Sequence, residues 1–293
     1  MTRIYKDQSI SNVIRIEGGG SGPRVVVFSG VHGDEVSGAH AIEKLFFDFF
    51  TGSRSLLRGS LTLVRANEQA LAAERRYLKQ NLNRLFKENY APETDRSCYE
   101  FERAQELKTI LQNCDYFLDL HSAPIAQEPF VVAERFAVDL FAKLGIRRIM
   151  TGWSKFSTKT IGGDAESYAN AHGAKSATLE SGSHFDKRSN DVAYAAALSF
   201  LSVTGLIAGV ETKSSGPVEI VDVYSVITKD FGDFRYAGEV ANFKFIKEGE
   251  AFAHQNGRPL IVSEDTYLLI PMRPEDTKIR EEVCYLGRRL AER

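Results

Sequence analysis

Three short segments place metal-ligating or proton-transferring side chains where an apolar run stops. In VVVFSGVHGDEVSG a buried-strand pattern ends at glycine, and His32 and Glu35 follow three residues apart. An imidazole and a carboxylate on one turn can reach a single cation, and nitrogen with oxygen donors suits Zn²⁺. In YFLDLHSAP, Asp119 stands two residues before His121. Strand side chains alternate, so the two share a face and the Asp could orient the His as a third ligand. In SATLESG, Glu180 closes another apolar run. A carboxylate at the mouth of a buried strand is costly without partners, and beside a metal it could take a proton from water. Each segment alone also has a plain structural reading: a loop His and Glu, a His capping a strand end, and a solvated Glu.

Between the first two lies ERRYLKQNLNRLFKE, where Arg75, Arg76, Lys79, Arg84 and Lys87 concentrate positive charge. Such a patch can clamp a carboxylate, for which the Arg fork is well shaped, and it can equally be a solvated helix face. Asn83 and Arg84 flanked by Leu82 and Leu85 have the pattern of an anchored polar pair.

Together these segments resemble the succinylglutamate desuccinylase and aspartoacylase family, which belongs with the zinc carboxypeptidases. The resemblance runs through His32-Gly33-Asp34-Glu35, Arg76-Tyr77, Asn81-Leu82-Asn83-Arg84-Leu85-Phe86 and Asp119-Leu120-His121. It implies one Zn²⁺ per chain held by His32, Glu35 and His121, with Glu180 as general base and Arg76 polarising the scissile carbonyl. Asn83 and Arg84 would hold a substrate carboxylate. The implied activity is zinc-dependent amide hydrolysis of a small N-acyl amino acid or related N-acyl amine. The alternatives are a metallocarboxypeptidase acting on small peptides and, from another class, a catalytically silent metal-binding protein. Two positions depart from the family. Asn170 stands where aspartoacylases carry an Arg that grips an acidic side chain, and no clear counterpart of their C-terminal Tyr follows Pro271, where Arg273 is the nearest charged residue.

The elements that must position these residues alternate. From Arg24 to about Gly209, short β-branched runs alternate with helical patterns over Glu35 to Phe50, Tyr99 to Gln112, Phe136 to Leu144, Ala165 to His172 and Asp191 to Leu206. That order predicts an α/β fold: a mostly parallel mixed sheet flanked by helices, zinc carboxypeptidase-like. After Glu211 a TKSSGP loop leads into strand-like runs. The expected division is a catalytic domain over 1–211 and a smaller β-rich domain over 212–293; Lys247 to Pro271 resembles the family's β domain, which narrows the active-site entrance.

Composition adds exclusions. The chain of 293 residues has 43% hydrophobic and 26% charged residues and a formal charge of -2, so nothing marks a nucleic-acid or membrane-surface binder. The N-terminal residues lack the apolar core of a secretory signal and the pattern of a transit peptide, and the apolar stretch Tyr194 to Val210 is too short and diluted for a span. A cytoplasmic chain with a small-molecule substrate is expected; homo-oligomerisation is left open. Cys98, Cys114 and Cys284 form no paired motif and read as free thiols. His40, His172 and His254 read as structural or exposed, His184 as a substrate contact or a surface residue, and Gly18 to Gly22 as a turn.

Overall fold

The computed structural model describes residues 2–124, 128–156, 162–210 and 216–292. Nine strands come first in the chain: β1 (Arg3–Lys6), β2 (Val13–Glu17), β3 (Arg24–Ser29), β4 (Ser60–Arg65), β5 (Tyr116–Ala123), β6 (Phe130–Ala133), β7 (Arg148–Thr151), β8 (Lys175–Ser183) and β9 (Glu219–Thr228). Six shorter or terminal ones follow: β10 (Arg235–Tyr236), β11 (Lys244–Ile246), β12 (Ala251–Gln255), β13 (Arg258–Ile261), β14 (Thr266–Leu269) and β15 (Glu282–Glu292). The helices are α1 (Val36–Phe50), α2 (Glu68–Ala72), α3 (Tyr99–Leu111), α4 (Val138–Phe141), α5 (Ala165–Ala171) and α6 (Arg188–Val203).

Among the described residues twelve strands form one sheet in the order β1-β2-β4-β3-β5-β8-β6-β7-β9-β15-β14-β11. The expected α/β architecture, a mixed sheet flanked by helices, is present. Parallel pairing is confined to two blocks, β4-β3-β5-β8 and β6-β7-β9, which meet at an antiparallel β8–β6 junction. The C-terminal strands continue this sheet through β9, β15, β14 and β11, while β10, β12 and β13 form a small second sheet. The boundary expected at 211–212 lies outside the described residues.

Alternation along the central strands divides the core. Leu118, Leu120 and Leu179 pack with Ile42, Leu45 and Phe49 of α1 and Leu198 and Leu201 of α6 on one face. Phe28 and Phe117 pack with Leu107 and Leu111 of α3 and Ala165 and Tyr168 of α5 on the other. Asp119 and His121, in phase with Phe117, therefore belong to the α3–α5 face. The β5–β8 register sets Asp119 beside Thr178 and His121 beside Glu180, so these four side chains share that face.

Two helices differ from the sequence pattern. The stretch Phe136 to Leu144 is broken: a 3-10 turn precedes α4, and a second over Ala142–Leu144 tightens the end, stopped by left-handed Gly145. The last helix begins one turn early at Arg188 and ends at Val203, where Thr204 bonds back to Phe200 and Gly205 turns left-handed. Sequence patterning does not announce β1, β2, β12 or β15. The hairpin around His254 is present as β12–β13, turning at Asn256-Gly257 with both residues at positive φ.

Gly33 is where the strand-end loop presses on α2. A Cβ there would lie 2.1 Å from the Ala70 carbonyl carbon and 2.4 Å from the Leu71 nitrogen. Gly33→Ala is therefore expected to destabilise the chain by about 1–3 kcal/mol in denaturant unfolding; parent-like stability would show that this contact is not close.

Candidate active site

The site begins where β3 ends. Gly30, at φ 61, turns the chain off the buried strand, and His32 and Glu35 follow before α1. Glu35 holds the N-cap position of α1 but makes no capping bond there. Its carboxylate instead spans two imidazoles. Oε1 lies 2.7 Å from His32 Nδ1, and Oε2 lies 2.9 Å from His121 Nδ1. The Ser122 amide donates to Oε2 at 3.0 Å and Arg76 Nη1 donates to Oε1 at 3.1 Å. His32, Glu35 and His121 are 4%, 2% and 3% exposed, so this charge is removed from water.

The outer nitrogens decide which donors point inward. His32 Nε2 lies 3.1 Å from Asn81 Oδ1, and that oxygen also accepts the Asn83 amide at 3.0 Å. Two donors on one oxygen support its assignment, so Nε2 carries the His32 proton and Nδ1 presents a lone pair to Glu35. Burial, with the nearby Arg76 charge, pushes the His32 pKa down to about 3 and keeps the ring neutral. His121 Nε2 lies 2.9 Å from Asp119 Oδ2, the arrangement in which a carboxylate orients a metal-binding imidazole. Burial alone would lower the His121 pKa, but the Asp119 and Glu35 charges hold it well above the ordinary value. Burial would likewise raise Glu35, but the facing His32 and His121 hold it well below the usual carboxylate range.

A lone pair facing a carboxylate oxygen at 2.7 Å repels unless positive charge lies between them. The donor atoms of His32, Glu35 and His121 all fall within 4.8 Å of one another. Two imidazole nitrogens and a carboxylate oxygen are a donor set for a divalent cation of the zinc type.

Glu180 faces this trio from β8, in register with His121. It is half-buried, and its Oε2 has no hydrogen-bond partner among the described atoms. Burial and the charge of Glu35 raise its pKa to about 7, the range where a carboxylate can both take and return a proton. Arg76 reaches Glu35 from an exposed loop, with 46% of its side chain accessible. Asn83 and Arg84 lie on the 3-10 turn Leu82–Arg84, just after Asn81. Asn83 Oδ1 accepts the Ala165 amide at the start of α5, and Arg84 Nη2 stands 4.0 Å from Glu282 Oε2 on β15.

The structure thus brings His32, Glu35, His121, Glu180 and Arg76 together, with Asn83 and Arg84 on the adjoining turn. Asn170 does not replace the expected Arg as a side-chain clamp: its Oδ1 accepts the Ser176 amide, and its Nδ2 lies 3.5 Å from Glu166. Arg273 is exposed after β14. His40 is exposed, and His172 bonds the Tyr168 carbonyl. His184 belongs to the site's edge, with Nδ1 2.8 Å from Ser122 Oγ and its donor atom within 4.8 Å of those of Asp34 and Glu35. Asn81, Ser122 and Asp34 are contributors that sequence reasoning leaves without a role. Asn81 opens the polar Asn-Leu-Asn-Arg stretch and Ser122 follows His121, which are the signals that could mark them.

The catalytic-domain model of succinylglutamate desuccinylase and aspartoacylase matches residues 21–203. The chain belongs to the succinylglutamate desuccinylase/aspartoacylase family. It is 27% identical over 268 residues to the succinylglutamate desuccinylase of Vibrio vulnificus strain YJ016, covering 84% of this chain and 75% of that one. The Pseudoalteromonas atlantica enzyme of the same name is 24% identical over 258 residues, with 80% and 72% covered. Among solved structures, the Vibrio cholerae succinylglutamate desuccinylase superposes with TM-score 0.79 at 20% identity, covering 99% and 91% of the two chains. The ectoine utilization protein EutE from Ruegeria pomeroyi does so with TM-score 0.72 at 18% identity, covering 98% and 93%. Membership in this deacylase family makes the chain a hydrolase of amide bonds. Among the described residues no helix is long and apolar enough to cross a membrane.

A cation bound at Nδ1 of His121 must displace the proton that the raised pKa retains there, whereas His32 is already neutral. Affinity for a divalent cation is therefore expected to rise roughly tenfold per pH unit below the His121 pKa. Chelator-competition titrations at successive pH values test this; a flat affinity would contradict the assignment of the retained proton.

Proposed function

We propose that this chain is a zinc-dependent amidohydrolase, a deacylase that hydrolyses the amide bond of a small N-acyl amino acid or related N-acyl amine. The observation that carries the reading is the pair of Nδ1 atoms converging on Glu35, each ring tied at Nε2 by Asn81 or Asp119. His32, Glu35 and His121 would hold one Zn²⁺. Bound there, zinc supplies Lewis acidity, acidifying water and polarising a carbonyl.

The chain's own groups do the rest. Glu180 accepts a proton from the attacking water at Oε2, holds it while the carbon–nitrogen bond breaks, and returns it to the departing amine. The products are a carboxylic acid and an amine. Arg76 directs its guanidinium at the carbonyl oxygen as negative charge develops, exchanging part of its contact with Glu35 for that oxyanion. Asn83 and Arg84 orient a substrate carboxylate, Arg84 turning from the distant Glu282 to a bidentate partner. We take residues 1–211 as the catalytic domain and 212–293 as the part that narrows its entrance, which favours small substrates.

The test is a panel of N-acetyl and N-succinyl amino acids assayed with the zinc-loaded chain beside dipeptides and tripeptides. Turnover of N-acyl amino acids is expected; turnover of peptides alone would replace the deacylase with a metallocarboxypeptidase. Glu180→Gln is expected to retain zinc and to lower kcat by roughly 10²-fold or more. A variant as active as the parent would remove Glu180 from the role of base.

A further inference from the structure

Two side chains that touch the metal-ligating trio stand on a segment with almost no apolar anchorage. Residues 72–79 are exposed throughout. Arg76 nevertheless reaches Glu35, and Asn81 reaches His32. An exposed segment of this kind samples many backbone conformations unless polar contacts restrain it.

Three anchors supply the restraint. The Gly33 amide donates to the Arg76 carbonyl at 3.2 Å. The Gln80 side chain donates to the Asp95 carbonyl at 2.6 Å and accepts the Asp95 amide at 3.3 Å. Between them Glu100, in the first turn of α3, accepts the Leu78 amide at 2.7 Å and the Lys79 amide at 3.1 Å on Oε1. Glu100 is 0% exposed, and its Oε2 has no hydrogen-bond partner among the described atoms. A carboxylate buried so completely is costly, and the start of α3 offsets only part of that cost. Asn83 and Arg84 are anchored apart from it, through the Ala165 amide on Asn83 and the Phe86 amide on the Gly163 carbonyl.

We propose that Glu100 is a positioning residue: by gathering the Leu78 and Lys79 amides it fixes the loop from which Arg76 and Asn81 reach Glu35 and His32. The kinetic part of this inference rests on the deacylase reading. Its consequence is a split. Carbonyl polarisation by Arg76 and orientation of His32 by Asn81 depend on Glu100, whereas carboxylate binding at Asn83 and Arg84 does not.

Three variants of the full chain test it: Glu100→Ala, Glu100→Asp, which keeps the charge but falls a methylene short, and Glu100→Gln, which keeps the acceptor oxygen at full reach. Kinetics per bound zinc are measured on the best N-acyl amino acid of the panel, with zinc affinity and hydrogen exchange over residues 75–81. Glu100→Ala and Glu100→Asp are expected to lower kcat per zinc by ~10–100-fold and to weaken zinc affinity. Exchange over 75–81 should quicken while β5 stays protected, and KM should stay within ~threefold. Glu100→Gln is expected within ~threefold of the parent in every readout. Should the Ala variant not fold, the Asp and Gln variants decide: an Asp variant as good as or better than Gln overturns the proposal. Unchanged exchange over 75–81, or an effect confined to KM, overturns it as well. If the parent turns over nothing in the panel, the deacylase reading fails, and exchange and zinc affinity still judge Glu100.

Discussion

Glu35 lies between two imidazole nitrogens in a part of the protein that water scarcely reaches, and its charge has to be balanced there. His32 faces it with a lone pair, Arg76 supplies one external cation, and the Ser122 amide supplies one dipole. A buried carboxylate in this position is tolerable only when positive charge sits between the donors, because attraction in a low dielectric must offset the loss of hydration. That requirement explains why the rings are oriented from outside by Asn81 and Asp119, and why Glu180 opposite is pushed up to about 7 rather than sharing the ionised state.

The sheet meets this constraint through register. β5 and β8 run parallel, and pairing His121 with Glu180 brings ligand and base to one face at adjacent strand ends. A slip of one residue would turn both into the opposite hydrophobic layer, among Leu120 and Leu179. The glycine exit from β3 brings His32 and Glu35 over the same end. The antiparallel β8–β6 junction then sets Phe130 beside Glu180, and this apolar neighbour adds to the burial that raises its pKa.

Much of this was legible in the chain itself. Strand ends show as apolar runs stopped by Gly or a charged residue, and alternation alone put Asp119 with His121. The resemblance supplied the order of His32, Glu35, His121 and Glu180, and the structure shows them facing one another. What was not legible depends on contacts distant in sequence. Asn81 meets His32 across 49 positions, and an Asn in a basic loop carries no mark of that partner. Glu100 reads as an ordinary acidic residue in the first turn of a helix until its backbone partners are visible. Strand direction at β6 cannot be read from composition, and β15 was obscured because its pairing with β9 is interrupted by register shifts that break simple alternation.

The central claim, that two imidazoles and one carboxylate of this chain hold a single zinc ion, is tested most directly by X-ray absorption at the zinc edge of the reconstituted protein. The account predicts one zinc per chain, nearest nitrogen and oxygen scatterers at about 2.0–2.2 Å, and the outer-ring scattering of two imidazoles. Sulfur scattering at about 2.3 Å, or the signature of fewer than two imidazoles, would contradict it.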